Sequence, residues 1–100
     1  MASTRSDRPF PEELPLLLQE RGLSLRSLGE RVGVTGAHLS RVVRRADYKT
    51  VSPELAGRVA RALGLPIDYF PEYREGYIIE RIRSDRRLRD RLYDQMRGRR

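Results

Sequence analysis

The sequence predicts an all-α protein: a five-helix bundle followed by one or two further C-terminal helices. Three observations predict it. Apolar residues recur at three- and four-residue spacing through most of the 100 residues. Glycine or proline punctuates each run. No stretch alternates apolar with polar residues as a half-buried strand would.

Taken in order, residues 1–9 are polar and aperiodic and are expected to form a disordered arm. Leu14, Leu17 and Leu18 then share a helical face, and Gly22 follows Arg21 as a stop. A first helix is placed at about residues 12–21, with Pro15 near its first turn, where a missing N–H costs little. Ser24 is a good N-cap for a second helix, and Leu23 and Leu28 occupy the two positions of a hydrophobic staple. Leu25, Leu28 and Val32 form its apolar stripe, which Gly33 closes. Thr35 caps a third helix in which Val34 and Leu39 repeat the staple, and Leu39, Val42 and Val43 point inward. Gly36 in its first turn is a weak helix former, so a mobile start is expected. Residues 44–51 (RRADYKTV) lack an apolar period and read as a loop.

Ser52-Pro53-Glu54 opens a fourth helix with a cap, a proline at the first position and a first-turn acid. Leu55, Val59, Ala62 and Leu63 supply its buried face, and Gly64 ends it. Pro66 to Phe70 are expected to form one short helix before Pro71. Beyond Tyr73 the apolar phase breaks into two clusters, one of Ile78, Ile79 and Ile82, the other of Leu88, Leu92, Tyr93 and Met96. The six-residue step from Ile82 to Leu88 fits no single stripe, so two helices with a bend at Ser84-Asp85 are expected, then a frayed tail from Arg97. The chain divides into an arm (1–9), a bundle (10–71), a helical extension (72–97) and a basic tail (98–100).

Composition narrows the function. There is no cysteine, which rules out disulfides and thiolate metal sites, and His38 is the sole histidine. No nucleophile–base pair, metal cluster or phosphate loop is present, so no enzyme activity, cofactor or metal is expected. Ser40 and His38 are too close on one helix to face each other as a catalytic pair. No apolar run is long enough to span a membrane, and MASTRSDRPF lacks the apolar stretch of a secretory signal. A cytoplasmic, nucleoid-associated protein is expected. The net charge is +7. Its placement is uneven: residues 21–50 carry seven basic against two acidic groups, and residues 76–100 nine arginines against four acids. Two basic blocks point to a polyanion partner.

The first basic block coincides with a motif. Gly33-Val34-Thr35 joins the second and third helices as a tight turn, the layout of a helix-turn-helix. Helices crossing steeply need a small residue where they touch and a glycine to reverse the chain, and Gly29 and Gly33 occupy those points. The second of the two then projects and fits the DNA major groove, about 12 Å wide. LSLRSLGERVGVTGAHLSRVVRR, followed by VSPELAGRVARALGLPIDYF, resembles the phage-repressor-like helix-turn-helix family, also called Cro-like or XRE-type, over residues 14–70.

The resemblance implies a sequence-preferring regulator of transcription that binds double-stranded DNA at an operator as a homodimer. By position, it assigns phosphate contacts to Ser24 and Arg26. The outward face of the recognition helix falls to Thr35, Gly36, Ala37, His38 and Arg41, with Ser40 in the same interface, and the loop that follows to Arg44, Arg45, Lys49 and Thr50. The chain departs from the family in several places. Gly29 stands where alanine is usual, Val43 where glutamate is common, and Arg45 where a glycine closes the helix. Gly36 and Ala37 stand where relatives often carry long polar readers. Direct readout is then expected to rest on Arg41 and His38, with strong phosphate affinity and modest discrimination.

Ile78, Ile79, Ile82, Leu88, Leu92 and Met96 are the candidate dimer or partner surface, unless they fold back on the bundle. Tyr69, Phe70, Tyr73 and Tyr77 are expected to pack in the core or dock the C-terminal helices. The arginines from Arg81 to Arg91, interleaved with Asp85, Asp90 and Asp94, read either as a solvated face with local ion pairs, as a second phosphate-contacting surface, or as a partner-binding face. Two alternative functions fit the same fold: an antitoxin that autoregulates by DNA binding, and a protein-interaction adaptor.

Overall fold

Six α-helices, and no strand, occur among residues 5–44 and 51–98, the residues described by a computed structural model of the chain. They are α1 (Phe10–Arg21), α2 (Leu25–Val32), α3 (Gly36–Arg44), α4 (Pro53–Ala62), α5 (Pro71–Ser84) and α6 (Arg86–Gly98). The all-α class and the extra C-terminal helices are as the sequence predicts. Each internal cap forms as its residue type dictates. Ser24 Oγ accepts from the Ser27 N–H, Thr35 Oγ1 from the His38 N–H and Ser52 Oγ from the Leu55 N–H, each at 3.0 Å. Gly22 and Gly33 end their helices with φ of 66° and 82°, a left-handed conformation that costs glycine nothing.

The core lies where α1 packs on α3, α2 on α3 and α4, and α4 on α5. Phe10, Leu14, Leu28, Leu39, Val59 and Phe70 are its largest fully buried side chains. The rings of Phe10 and Phe70 meet at a centroid distance of 4.7 Å, and Tyr69 stands edge-on to Phe70 at 5.1 Å. The predicted aromatic packing thus holds for these residues, whereas Tyr77 is 59% exposed.

Three local expectations are corrected. α1 starts at Phe10 rather than near residue 12, because the Phe10 N–H finds a cap far along the chain: Glu72 Oε2 accepts it at 2.8 Å. Pro15 therefore falls in the second turn, on the exposed side. Pro66 to Phe70 form no helix; one hydrogen bond, from the Tyr69 N–H to the Pro66 carbonyl at 3.0 Å, makes a single turn. Five residues cannot offset the cost of nucleating a helix, and Pro71 starts the next one instead.

Residues 5–9, expected to belong to a disordered arm, are tied down. Ser6 is buried, and its N–H donates to the Tyr69 carbonyl at 2.8 Å. The Arg74 guanidinium donates to the carbonyls of Ser6 (2.7 Å), Asp68 (2.7 Å) and Tyr69 (2.9 Å). Arg5 and Asp68 pair at 3.1 Å. Glu13 accepts from Arg8 at 3.3 Å and from the Tyr69 hydroxyl at 2.5 Å. Burial, aided by the Glu13 carboxylate, pushes the Tyr69 phenol up to about 12.

Glu72 is the most costly of these anchors. It is 4% exposed, and its Oε1 has no hydrogen-bond partner among the described residues. Burial raises its pKa above the ordinary 4.5, outweighing the Phe10 N–H that lowers it. The folded state therefore holds this proton more tightly than the unfolded chain. The stability it contributes is fully present below pH 4.5 and is lost as pH rises through the raised pKa. Glu72→Gln should accordingly melt above wild type at neutral pH, with the advantage shrinking in acid. Melting curves against pH check this; an advantage independent of pH would contradict it.

The C-terminal helices leave the bundle in a defined direction. A Cβ at Gly57 of α4 would lie 3.1 Å from the Tyr73 ring, and one at Gly76 would lie 2.2 Å from Pro53 Cγ. As α5 advances from Tyr73 to Gly76, its contact on α4 moves back from Gly57 to Pro53. The two helices therefore run antiparallel, and the remainder of α5 extends past the N-terminus of α4. The expected bend follows: Asp85 is extended (φ −130°, ψ 96°), and its carboxylate accepts from the Leu88 N–H at 3.1 Å as the cap of α6. α6 continues through Arg97 to Gly98 rather than fraying at Arg97, and none of its residues is buried.

Candidate nucleic-acid interface

The geometry of the α2–α3 pair rests on two glycines. A Cβ at Gly29 would lie 2.5 Å from the Val34 carbonyl oxygen and 3.2 Å from the Gly36 nitrogen. One at Gly36 would lie 3.1 Å from the Arg26 Cα. Gly36 thus has a packing reason to be glycine: the start of α3 rests directly on the start of α2. This accounts for a residue that the sequence marks only as a weak helix former, and it turns Gly36 inward, off the outer face.

Gly29 is the stricter position, because the atom it would meet is backbone. Gly29→Ala gains about 1 kcal/mol of helix propensity but overpacks the crossing at about 1–3 kcal/mol. A net loss of up to about 2 kcal/mol is expected from urea denaturation. A stabilised variant would show that the crossing relaxes freely.

With Leu39 and Val42 buried, α3 turns Ala37, Arg41 and Arg44 outward, all exposed and all on one stripe at i, i+4 and i+7. Arg44 donates to Ser40 Oγ at 3.1 Å, which steadies it along the helix. His38 and Ser40 are half-buried and flank the stripe on opposite sides. Thr35 is exposed at the N-cap. Ser24 and Arg26 are exposed at the start of α2, and the contact of Gly36 with Arg26 brings them beside the start of α3. Arg26 and Arg41 have no hydrogen bond or ion pair among the described residues. Arg45, Lys49 and Thr50 lie outside the described residues.

The remaining predicted surface residues are on α5 and α6. Ile78 and Ile79 are 55% and 48% exposed, Met96 is 80% exposed, and Ile82, Leu88 and Leu92 are half-buried. Sequence reasoning missed the residues that fix the base of α5, namely Glu72 and Arg74. Their partners lie 62 and 68 positions away, so no local pattern marks them. Among the described residues no group of His, Asp and Glu side chains could hold a metal ion, and no helix is long and apolar enough to cross a membrane.

Two short helices crossing on paired glycines, with an arginine-bearing face on the second, define a DNA-binding regulatory module of the helix-turn-helix class. A family model described as helix-turn-helix matches residues 16–70, and the chain belongs to that family. No curated protein and no solved structure matches the chain.

Proposed function

We propose that the protein is a transcriptional regulator that reads duplex DNA with a sequence preference and occupies an operator as a two-fold homodimer, on the nucleoid in the cytoplasm. The observation that carries this reading is the outward stripe of Ala37, Arg41 and Arg44 on α3, with Ser24 and Arg26 beside its start. Arg41, central on the stripe and exposed, reads a base edge, best a guanine; Ala37 offers a methyl to thymine. Arg44, Ser24, Arg26, Thr35, and the following Arg45, Lys49 and Thr50 hold phosphates. His38 and Ser40 border the contact. Gly36 contributes by letting α2 and α3 close on each other, not by a side chain.

The dimer reading is supported by the docking of α5. Gly76 faces Pro53, and at about 100° per residue Ile78 lies nearly opposite it while Ile82 lies about a third of a turn round, both directed away from Pro53. Leu88, Leu92 and Met96 continue as an i, i+4, i+8 row on α6, where no residue is buried. Two copies joined through these faces would set two recognition helices in successive major grooves, about 34 Å apart. The same open faces also suit the antitoxin reading, in which a toxin covers them; sedimentation of the pure full-length chain separates the two readings, since only the first gives a dimer.

Titrating wild type and variants against related duplexes tests the site. Arg41→Ala should lose about 1–3 kcal/mol on the preferred sequence and little on others. Arg44→Ala should weaken all sequences alike. Equal losses everywhere for Arg41→Ala would remove its role as a reader.

A further inference from the structure

The second basic block has a structural setting of its own. Arg81, Arg83, Arg86 and Arg87 surround the bend at Asp85, and all four are exposed. A solvated face of local ion pairs would show these arginines matched to nearby acids. Instead, the Asp85 carboxylate accepts from the Leu88 N–H, and among the described residues Asp90 pairs with its neighbour Arg89 alone, at 2.9 Å. Among the described residues, none of the four has a side-chain hydrogen bond or ion pair. One acid, Glu80, remains beside them.

Their direction is set by the docking of α5. Arg83 lies seven residues beyond Gly76, two turns on and on the same face, about 10 Å further along the axis. Gly76 rests on Pro53 in the first turn of α4. Arg83 therefore overhangs the space just past the N-terminus of α4. That end of α4 follows the last residue of α3 closely in the chain, Arg44 before Pro53.

We propose that this α5–α6 elbow is a second nucleic-acid site, in which Arg83, Arg86 and Arg87, with Arg81 beside them, grip the phosphate backbone of the duplex held by α3. It rests on the DNA-binding reading above and extends it: the elbow adds affinity without sequence information. The cluster also explains why nine arginines follow residue 75 in a chain whose recognition helix needs few of them.

The test compares full-length wild type with Arg83→Gln/Arg86→Gln/Arg87→Gln and with a control of equal charge loss, Arg31→Gln/Arg58→Gln/Arg61→Gln. The control residues are exposed and unpaired among the described residues, on the groove between the ends of α2 and α4. The probe is a random-sequence duplex of about three helical turns, and the readout is the slope of log affinity against log salt. Each phosphate contact contributes about 0.9 to that slope, so the elbow variant should be shallower by about 2–3 while the control keeps the wild-type slope. An unchanged slope, or an equal change in both variants, overturns the elbow. Absence of any wild-type binding sinks the DNA-binding reading as well. A second measurement needs no variant: modification of wild-type arginines by a dicarbonyl reagent, followed by mass spectrometry. The duplex should protect Arg83, Arg86 and Arg87 and leave Arg58 and Arg61 reactive; elbow arginines that stay reactive overturn the proposal.

Discussion

Truncating Phe70 to alanine is expected to lower the unfolding free energy by about 3–5 kcal/mol. Phe70 is fully buried, meets the Phe10 ring at 4.7 Å, and is followed directly by the first residue of α5. Its removal leaves a cavity at the junction of α1, the 66–69 turn and α5, walled by groups already fixed by hydrogen bonds from Arg74 and to Glu72. Those bonds limit collapse into the space, which puts the cost toward the high end for a buried aromatic. Against a total stability of about 5–15 kcal/mol for a domain of this size, the variant stands near its unfolding threshold. Urea denaturation measures the loss. A value below about 1 kcal/mol would mean that the aromatic junction does not hold α5.

The second large effect is expected from Gly76→Val. The first side-chain carbon alone would lie 2.2 Å from Pro53 Cγ and 2.7 Å from its Cβ, and a proline ring cannot swing aside as a long side chain could. α5 must shift away from α4 as a body, at about 2–3 kcal/mol from overpacking. Helix propensity returns only a few tenths of a kcal/mol, since valine is itself a poor helix former. The variant should melt lower and, on the dimer proposed above, also weaken self-association, because the faces carrying Ile78 and Ile82 move with the helix. Adding Pro53→Ala removes Cγ and should restore part of the stability. A double-mutant cycle with no coupling between the two sites would contradict the contact.

What could be read from the sequence was what short-range chemistry specifies. Ser24, Thr35 and Ser52 each announced a helix start, because a cap bonds an N–H three residues on. The bend at Ser84-Asp85 was legible from a break in apolar phase, and the outward stripe of α3 from the inward positions of Leu39 and Val42. What was not legible depends on partners remote in the chain. Ser6 and Arg8 show no apolar period, yet that segment is held through Tyr69 and Arg74. The start of α1 was misplaced because Glu72, 62 residues later, supplies its cap. Gly36 looked like a weak helix former because its reason, the backbone of Arg26, appears only when two helices cross.

The Arg74 clamp has a mechanical consequence. By joining the Ser6 carbonyl to the carbonyls of Asp68 and Tyr69 from the first turn of α5, it closes the polypeptide into a ring whose seam lies at the root of the C-terminal lever. The stiffness with which α5 and α6 stand on the bundle is thus governed partly by the residues around Ser6. A bulky tag fused directly ahead of Ser6 would loosen that lever without touching it.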